Sequence, residues 1–169
     1  LPNLAPTMRA EYRQVTIEDL LTHASGLPPV KQPTKDELAF LRALRGSPRA
    51  QREEFARWVL GRAPVVPPGH GYEYSNAGYT VLAHIAEVET GRAYEDLLRE
   101  RIFAPLGLRC FFGWPATPAH ARAPSGHWPA KEAFAPLPLD DPYRLPPAIV
   151  PAGDASCSIA SLAEFARAH

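Results

Sequence analysis

Apolar residues in the first hundred positions recur at intervals of three and four, which is the spacing of one face of an α-helix. The first such run has apolar residues at positions 17, 20, 21 and 24. Thr16 and Asp19 have the spacing of a capping box, in which each side chain bonds the backbone of the other residue. Glycine readily takes the left-handed conformation found just after a helix. The pattern therefore predicts a helix that begins after Thr16 and stops near Ser25-Gly26.

Two more helices are predicted between residues 34 and 61 by the same reasoning. One begins at Thr34 and runs to about Arg45. The other begins at Ser47-Pro48, because serine is a good N-cap and proline suits the first helical position, and it ends at Gly61. The apolar residues expected on the buried faces of these two helices are Leu38, Leu41, Leu44, Phe55, Trp58 and Val59.

The longest helical pattern follows a Tyr-x-Asn sequence. Ser75 or Asn76 can cap this fourth helix, and Gly91 ends it. A fifth helix is predicted from about Ala93 to Phe103. The apolar residues expected on the buried faces of the two helices are Val81, Leu82, Ile85, Val88, Tyr94, Leu97, Leu98 and Ile102.

Proline changes the picture in the second half of the chain. Eleven of the 20 prolines lie between residues 104 and 158, and proline disfavours regular helix. Strand signals are weak, since Val65-Val66 and residues 148–150 are long enough for edge pieces at most. Ser161 opens a capping-box pattern that predicts a last helix. We therefore expect a helical subdomain over residues 1–103, a proline-rich loop region over 104–158 and the start of a truncated helix over 159–169.

Composition and charge exclude several classes of protein. The 169 residues include 18 Lys plus Arg and 18 Asp plus Glu, so the basic excess of a simple nucleic-acid or membrane-surface binder is missing. We expect no nucleic-acid partner and, because no apolar stretch approaches about 18 residues, no membrane span in this chain. Cys110 and Cys157 could pair or stay free, and we interpret them as ordinary buried thiols.

Motifs for metal or cofactor binding are missing from the sequence. The six histidines form no i,i+4 pair on a predicted helix, so we expect no bound metal. There is no glycine-rich nucleotide loop, and we expect no cofactor. Asp140-Asp141 precedes a proline and is interpreted as a solvated turn.

A serine nucleophile is equally hard to find. No Gly-x-Ser-x-Gly sequence occurs, and no serine is followed three positions later by lysine. His23 and Ser25 are close in sequence, but residues two apart at a helix end point in different directions. We therefore favour a structural interpretation, in which Ser25-Gly26 ends the helix and His23 bonds locally.

Four ordered segments nevertheless carry a family resemblance. Residues 16–28 read TIEDLLTHASGLP and residues 68–79 read PGHGYEYSNAGY. Residues 90–94 with 102–108 read TGRAY and IFAPLGL, and they are followed by PAG at 151–153 and the serine-led segment 158–165. In order and spacing the set resembles the serine β-lactamase, penicillin-binding protein and esterase family that includes class C β-lactamases. Asp154 stands where that family has a second glycine, which puts the local turn in doubt.

The resemblance implies a fold and a chemistry. The parent fold is α/β, of the β-lactamase/transpeptidase type, with an antiparallel sheet, flanking helices and a helical subdomain. This chain is expected to be mainly α, with long proline-rich loops and few short strands. In the family a serine attacks a carbonyl group and forms an acyl-enzyme. Carried over to this sequence, Tyr74 becomes the general acid/base and Asn76 the residue that binds the substrate amide.

The family's other motifs are not in this sequence. Neither Ser-x-x-Lys nor the Lys-Thr-Gly or His-x-Gly strand occurs at the matching places. We therefore expect a middle portion of one incomplete catalytic domain, inactive by itself, whose exposed apolar face meets the remainder of the parent chain or a second copy. The expected substrate is a β-lactam, a D-amino-acid peptide or an ester, and the resemblance favours a periplasmic or secreted location. The alternative is a non-catalytic helical binding domain of the same fold.

Overall fold

The computed structural model describes residues 4–30, 33–129, 134–140 and 145–168. The chain divides into two compact units, one of Leu1–Arg99 with Pro146–Gly153 and the other of Glu100–Leu145 with Asp154–His169. Every described residue of the candidate site belongs to the first unit. The division expected from the sequence, with boundaries after residues 103 and 158, stays a prediction about domain organisation.

Within the described residues, the first unit contains five α-helices at the predicted places. They are α1 (Ile17–Leu21), α2 (Lys35–Ala43), α3 (Pro48–Leu60), α4 (Asn76–Thr90) and α5 (Tyr94–Leu98). The predicted fifth helix continues past α5 as a π-helical turn, Arg99–Phe103. The N-caps of the first four are those read from the sequence, with Ser75 rather than Asn76 capping α4. Local capping chemistry therefore fixes where these helices begin.

The end of α1 differs from the prediction. The helix stops at Leu21, because His23 adopts the left-handed conformation at φ 59°. The Ala24 N–H donates to the Asp19 carbonyl over 2.8 Å, which is the 6→1 bond of a Schellman motif. His23 thus occupies the position where glycine is usual, and Gly26 has a different role.

The buried face of α4 also differs from the predicted apolar stripe. Val81 is buried, but Leu82, Ile85 and Val88 are only half-buried. The fully buried positions include three polar residues, Thr80, His84 and Glu87. Leu82 and Ile85 still pack against the core, and the buried Glu87 pairs with a buried arginine.

That arginine is Arg52 of α3, whose side chain is 0% exposed. It donates to Glu87 over 2.6 Å and to Glu95 over 2.8 Å. It also donates to the Pro147 carbonyl over 3.2 Å, at the start of a 3₁₀ helix over Pro147–Ala152. One guanidinium therefore joins α3 and α4 to Glu95 of α5 and to the segment that returns after residue 145.

The two segments that could form edge strands, residues 65–66 and 148–150, are not strands. Residues 148–150 lie in that 3₁₀ helix, and residues 65–66 form a bend. The described part of the second unit contains four three-residue strands instead: β1 (Cys110–Phe112), β2 (His127–Pro129), β3 (Phe134–Pro136) and β4 (Ala155–Cys157). β1 pairs with β4 and β2 with β3, both antiparallel. The β1–β4 pairing is long-range, and no local sequence pattern predicts it.

The interpretation of the two cysteines as free thiols was also wrong. Cys110 and Cys157 form a disulfide. They face each other in the register of β1 and β4, which brings their Cα atoms to 4.2 Å. No local pattern predicts this pairing, because 47 positions separate the two residues.

The last helix is α6 (Ile159–Arg167), and Ser161, the residue expected to open it, lies inside its first turn. Its N-cap is Ser158, whose Oγ accepts the Ser161 N–H over 3.1 Å. Ser161 is buried, and its own Oγ accepts the Arg109 N–H over 2.8 Å. Within the described ranges, no helix combines the length and the hydropathy that crossing a bilayer requires.

Candidate active site

Two segments that are far apart in sequence form the site. Residues 23–30 follow α1, and residues 69–76 lead into α4. Backbone N–H groups of the second segment donate to carbonyl oxygens of the first: Gly69 to Ala24 (2.8 Å), Glu73 to His23 (2.9 Å) and Asn76 to Pro29 (3.0 Å). These bonds give the loop before α4 a fixed backbone without a sheet.

Gly26 allows the first segment to approach its neighbours closely. Its φ is 69°, and a Cβ atom added there would lie 2.2 Å from the Val66 carbonyl oxygen. Its own carbonyl accepts the Val65 N–H over 2.9 Å. Only glycine fits this backbone contact, so the Ser-Gly pair shapes the loop rather than ending the helix.

Ser75 fastens the second segment to the first. Its buried Oγ donates to the Pro28 carbonyl over 2.8 Å and accepts the Gly78 N–H over 3.3 Å. Both bonds engage the hydroxyl, which is therefore a structural group and not an available nucleophile. Ser25 is also buried, and its Oγ accepts the Leu27 N–H over 3.4 Å.

Tyr74 and Asn76, the two residues singled out from the sequence, lie side by side. The Tyr74 hydroxyl donates to Asn76 Oδ1 over 2.9 Å. Ser75 between them is extended, at φ −140° and ψ 115°, and an extended residue places its two neighbours on the same side. Tyr74 is 40% exposed, so its hydroxyl end is accessible to a substrate.

Asn76 is held from two directions. Its backbone N–H donates to Pro29 and its side-chain Nδ2 donates to the Val30 carbonyl over 3.2 Å. Val30 has φ 47°, a conformation that a β-branched residue rarely adopts. A cleft of about 650 Å³ lies beside Val30. Its lining residues are Pro28, Pro29, Val30, Thr34, Glu37, Arg62, Ala63 and Val65.

His23 is the site residue that sequence reasoning missed. Its Nδ1 accepts the Ser75 N–H over 3.2 Å, so the expectation that it bonds locally was wrong. The imidazole ring lies among three tyrosine rings, with centroid distances of 5.5 Å to Tyr72, 4.7 Å to Tyr74 and 5.3 Å to Tyr79. The only available sequence signal was its place in the first of the matching segments.

The arrangement as described can move a proton and hold an amide. Tyr74 supplies a hydroxyl donor, and Asn76 Nδ2 has a second N–H beyond the one given to Val30. Among the residues that the structure describes, no group of three or more His, Cys, Asp or Glu side chains could hold a metal ion.

Comparison with known proteins defines the class. The β-lactamase family model matches residues 1–169. Penicillin-binding protein 4 of Amycolatopsis lactamdurans is 32% identical over 172 residues, which cover 100% of this chain and 42% of that protein. A D-aminopeptidase of Cereibacter sphaeroides is 39% identical over 98 residues, which cover 56% of this chain and 17% of that enzyme.

A solved structure agrees with these relatives. The D-amino acid amidase of Ochrobactrum anthropi SV3, complexed with L-phenylalanine, is 28% identical with a TM-score of 0.62. That match covers 95% of this chain and 43% of the amidase. The chain therefore belongs to the β-lactamase family, which confirms the resemblance and the α/β, β-lactamase/transpeptidase-like fold class. It spans less than half the length of each of these three relatives.

Proposed function

We propose that residues 1–169 form one wall of the active site of a longer serine hydrolase, called here the parent protein. In it, Tyr74 is the general acid/base and Asn76 binds the substrate amide. The nucleophilic serine and its lysine come from outside residues 1–169. The observation that carries this proposal is the 2.9 Å hydrogen bond between the exposed Tyr74 hydroxyl and Asn76 Oδ1.

The reaction is acyl transfer in two steps. The serine oxygen attacks the substrate carbonyl carbon and its proton passes to a base, while the leaving group departs with a proton returned to it. Water then attacks the ester carbonyl and releases the serine. Tyr74 exchanges the proton in both steps, a role that requires a nearby cation to stabilise the phenolate. The lysine of the family's Ser-x-x-Lys motif supplies that charge.

Residues 1–169 are proposed to be inactive by themselves. No serine in this sequence is followed three positions later by lysine. Ser25 and Ser75 are the serines of the two site segments, and both are buried and bonded through their hydroxyl groups. Neither can attack a substrate without breaking the frame that positions Tyr74.

The substrate is proposed to contain an amide or ester carbonyl that Asn76 can bind. A D-aminopeptidase and a D-amino acid amidase are among the relatives, which favours amides of D-amino acids. A penicillin-binding protein is also among them, so β-lactams and short esters belong in the same assay.

The remainder of the parent protein is proposed to cover the apolar face of α1. Ile17 and Leu21 are exposed, and they are one helical turn apart on the same face. The parent protein is also proposed to be exported to the periplasm or secreted. The disulfide supports this location, because disulfides persist in oxidising compartments.

A fluorophosphonate probe, which labels activated serines, tests the proposal. We expect the parent protein to be labelled and the chain of residues 1–169 to remain unlabelled. Peptide mapping by mass spectrometry should place the label on a serine outside residues 1–169. Label on Ser25 or Ser75, or an unlabelled parent protein, would contradict the proposal, and the second result would favour the non-catalytic binding domain.

A further inference from the structure

His23 holds a backbone conformation that its residue type seldom adopts. It is at φ 59° in the Schellman motif that ends α1. Glycine occupies this position in most such motifs, and among other residues asparagine, aspartate and histidine adopt it most often. Positive φ is uncommon for any residue with a side chain, and the His23 ring makes its hydrogen bond to a distant part of the chain.

The side chain contributes a hydrogen bond across 52 positions of sequence. Nδ1 accepts the Ser75 N–H over 3.2 Å. A nitrogen that accepts carries no proton, so the ring is neutral with its proton on Nε2. The Ser75 N–H belongs to the peptide group between Tyr74 and Ser75. The orientation of this peptide group sets the direction of the Tyr74 side chain.

The peptide groups on both sides of Ser75 are therefore fixed by the same loop. His23 holds the one before it, and the Pro29 carbonyl holds the one after it over 3.0 Å. The imidazole also packs against the Tyr74 ring, at 4.7 Å between centroids. Contacts to backbone and ring together leave Tyr74 little freedom to turn away from Asn76.

We propose that His23 is a positioning residue, which orients Tyr74 and Asn76 for proton transfer and amide binding through its Nδ1 bond to the Ser75 N–H. This rests on the function proposed above. His23 acts through Tyr74 and contacts no reacting atom. Its loss is expected to lower kcat, because a reacting group displaced by about 1 Å can cost about 100-fold in rate.

Three substitutions in the parent protein separate the contributions of His23. His23→Gly accepts the left-handed backbone but removes the acceptor. His23→Ala removes the acceptor and also strains the backbone, so it should lower Tm below that of the glycine variant. His23→Asn keeps both, because asparagine tolerates this conformation and its Oδ1 lies as many bonds from Cβ as Nδ1 does.

The expected kinetic result is loss with glycine and rescue with asparagine. His23→Gly should lower kcat by about 10- to 100-fold, with KM changed less, while His23→Asn stays within about threefold of the wild type. His120→Asn is the matched control, since His120 is an exposed histidine outside both site segments, and it should leave kcat unchanged. Wild-type kcat in His23→Gly, or no rescue by asparagine, would overturn the proposal.

A double variant tests whether His23 acts through Tyr74. Residues that act as one unit have non-additive effects, so His23→Gly should cost less than about threefold when Tyr74 is already phenylalanine. If the double variant loses kcat by the product of the two single losses, the proposal is overturned. If Tyr74→Phe alone left turnover intact, the proposed function would fail by itself.

The nitrogen NMR spectrum of His23 tests the positioning role without any measurement of activity. A proton found on Nδ1 instead of Nε2 would overturn the positioning role alone.

Discussion

Two residues of the site, Gly26 and His23, have backbone conformations that depend on contacts with distant residues. Gly26 and His23 both have positive φ, but for different reasons. Gly26 is needed because the Val66 carbonyl lies where a side chain would be. The His23 ring, in contrast, accepts a hydrogen bond from the Ser75 N–H. The sequence predicted that this stretch ends a helix, yet it could not predict the two long-range contacts that assign the roles.

The close approach at Gly26 leads to a stability prediction. Gly26→Ala places a methyl group 2.2 Å from a carbonyl oxygen, so the backbone must shift. Gly69→Ala is the matched control, because Gly69 also has positive φ, at 76°, with nothing within 4 Å. Both variants carry about 1–2 kcal/mol of left-handed strain. We expect Gly26→Ala to lower the free energy of unfolding in urea by about 2 kcal/mol more, and equal losses would contradict the contact.

His84 leads to a prediction about pH. It is 2% exposed, and neither ring nitrogen has a hydrogen-bond partner in the part of the chain that the structure describes. Burial lowers the pKa of His84, partly offset by the charges of Glu53 and Glu87. The unfolded state therefore binds a proton at a higher pH than the folded state does, and stability falls as pH drops below the unfolded histidine value of about 6.5.

The variant His84→Leu should remove this contribution. Urea unfolding at pH 7 and pH 5 gives the loss of stability on acidification for each protein. We expect the wild type to lose more than His84→Leu does, since only the wild type carries a buried imidazole that resists protonation. A larger loss in the variant would show that His84 is protonated when folded.

Helix starts depend on local sequence and were predicted, whereas the β1–β4 strand pair depends on a distant partner and was not. The helix starts at Thr16, Thr34, Ser47 and Ser75 were predicted because each cap acts within three residues. The paired strands β1 and β4, with their disulfide, were not predicted, because their partners are 47 positions apart. The buried face of α4 was missed for a similar reason, since the partner of Glu87 lies on another helix.

The Arg52 cluster leads to a prediction at the level of helix packing. Arg52→Ala leaves Glu87 buried without its cation, which typically costs about 3–5 kcal/mol. Arg57→Ala is the matched control on the same helix, because its ion pair with Glu53 is half-exposed and such pairs contribute about 0–1 kcal/mol. Thermal unfolding of both variants measures the difference, and a similar Tm for the two would contradict the structural role of Arg52.

For the molecule as a whole, family membership was predictable from the sequence. The hydrogen bonding between residues 23–30 and residues 69–76 was not. Four ordered motifs were enough to predict the β-lactamase family, which the match over residues 1–169 confirms. The same motifs singled out Tyr74 and Asn76 as the candidate site residues. They did not reveal that residues 23–30 form the frame for both, because hydrogen bonds to backbone carbonyls leave little trace in side-chain identity.

Tyr74 is proposed to transfer protons in a serine hydrolase, and the turnover of the parent protein with Tyr74→Phe measures this role. Tyr72→Phe is the control, because Tyr72 is 70% exposed and lies two residues away. Loss of a general acid/base typically costs about 100- to 10,000-fold in rate. We predict a loss of this size in kcat for Tyr74→Phe at unchanged Tm, with Tyr72→Phe close to the wild type. Undiminished turnover in Tyr74→Phe would contradict the account.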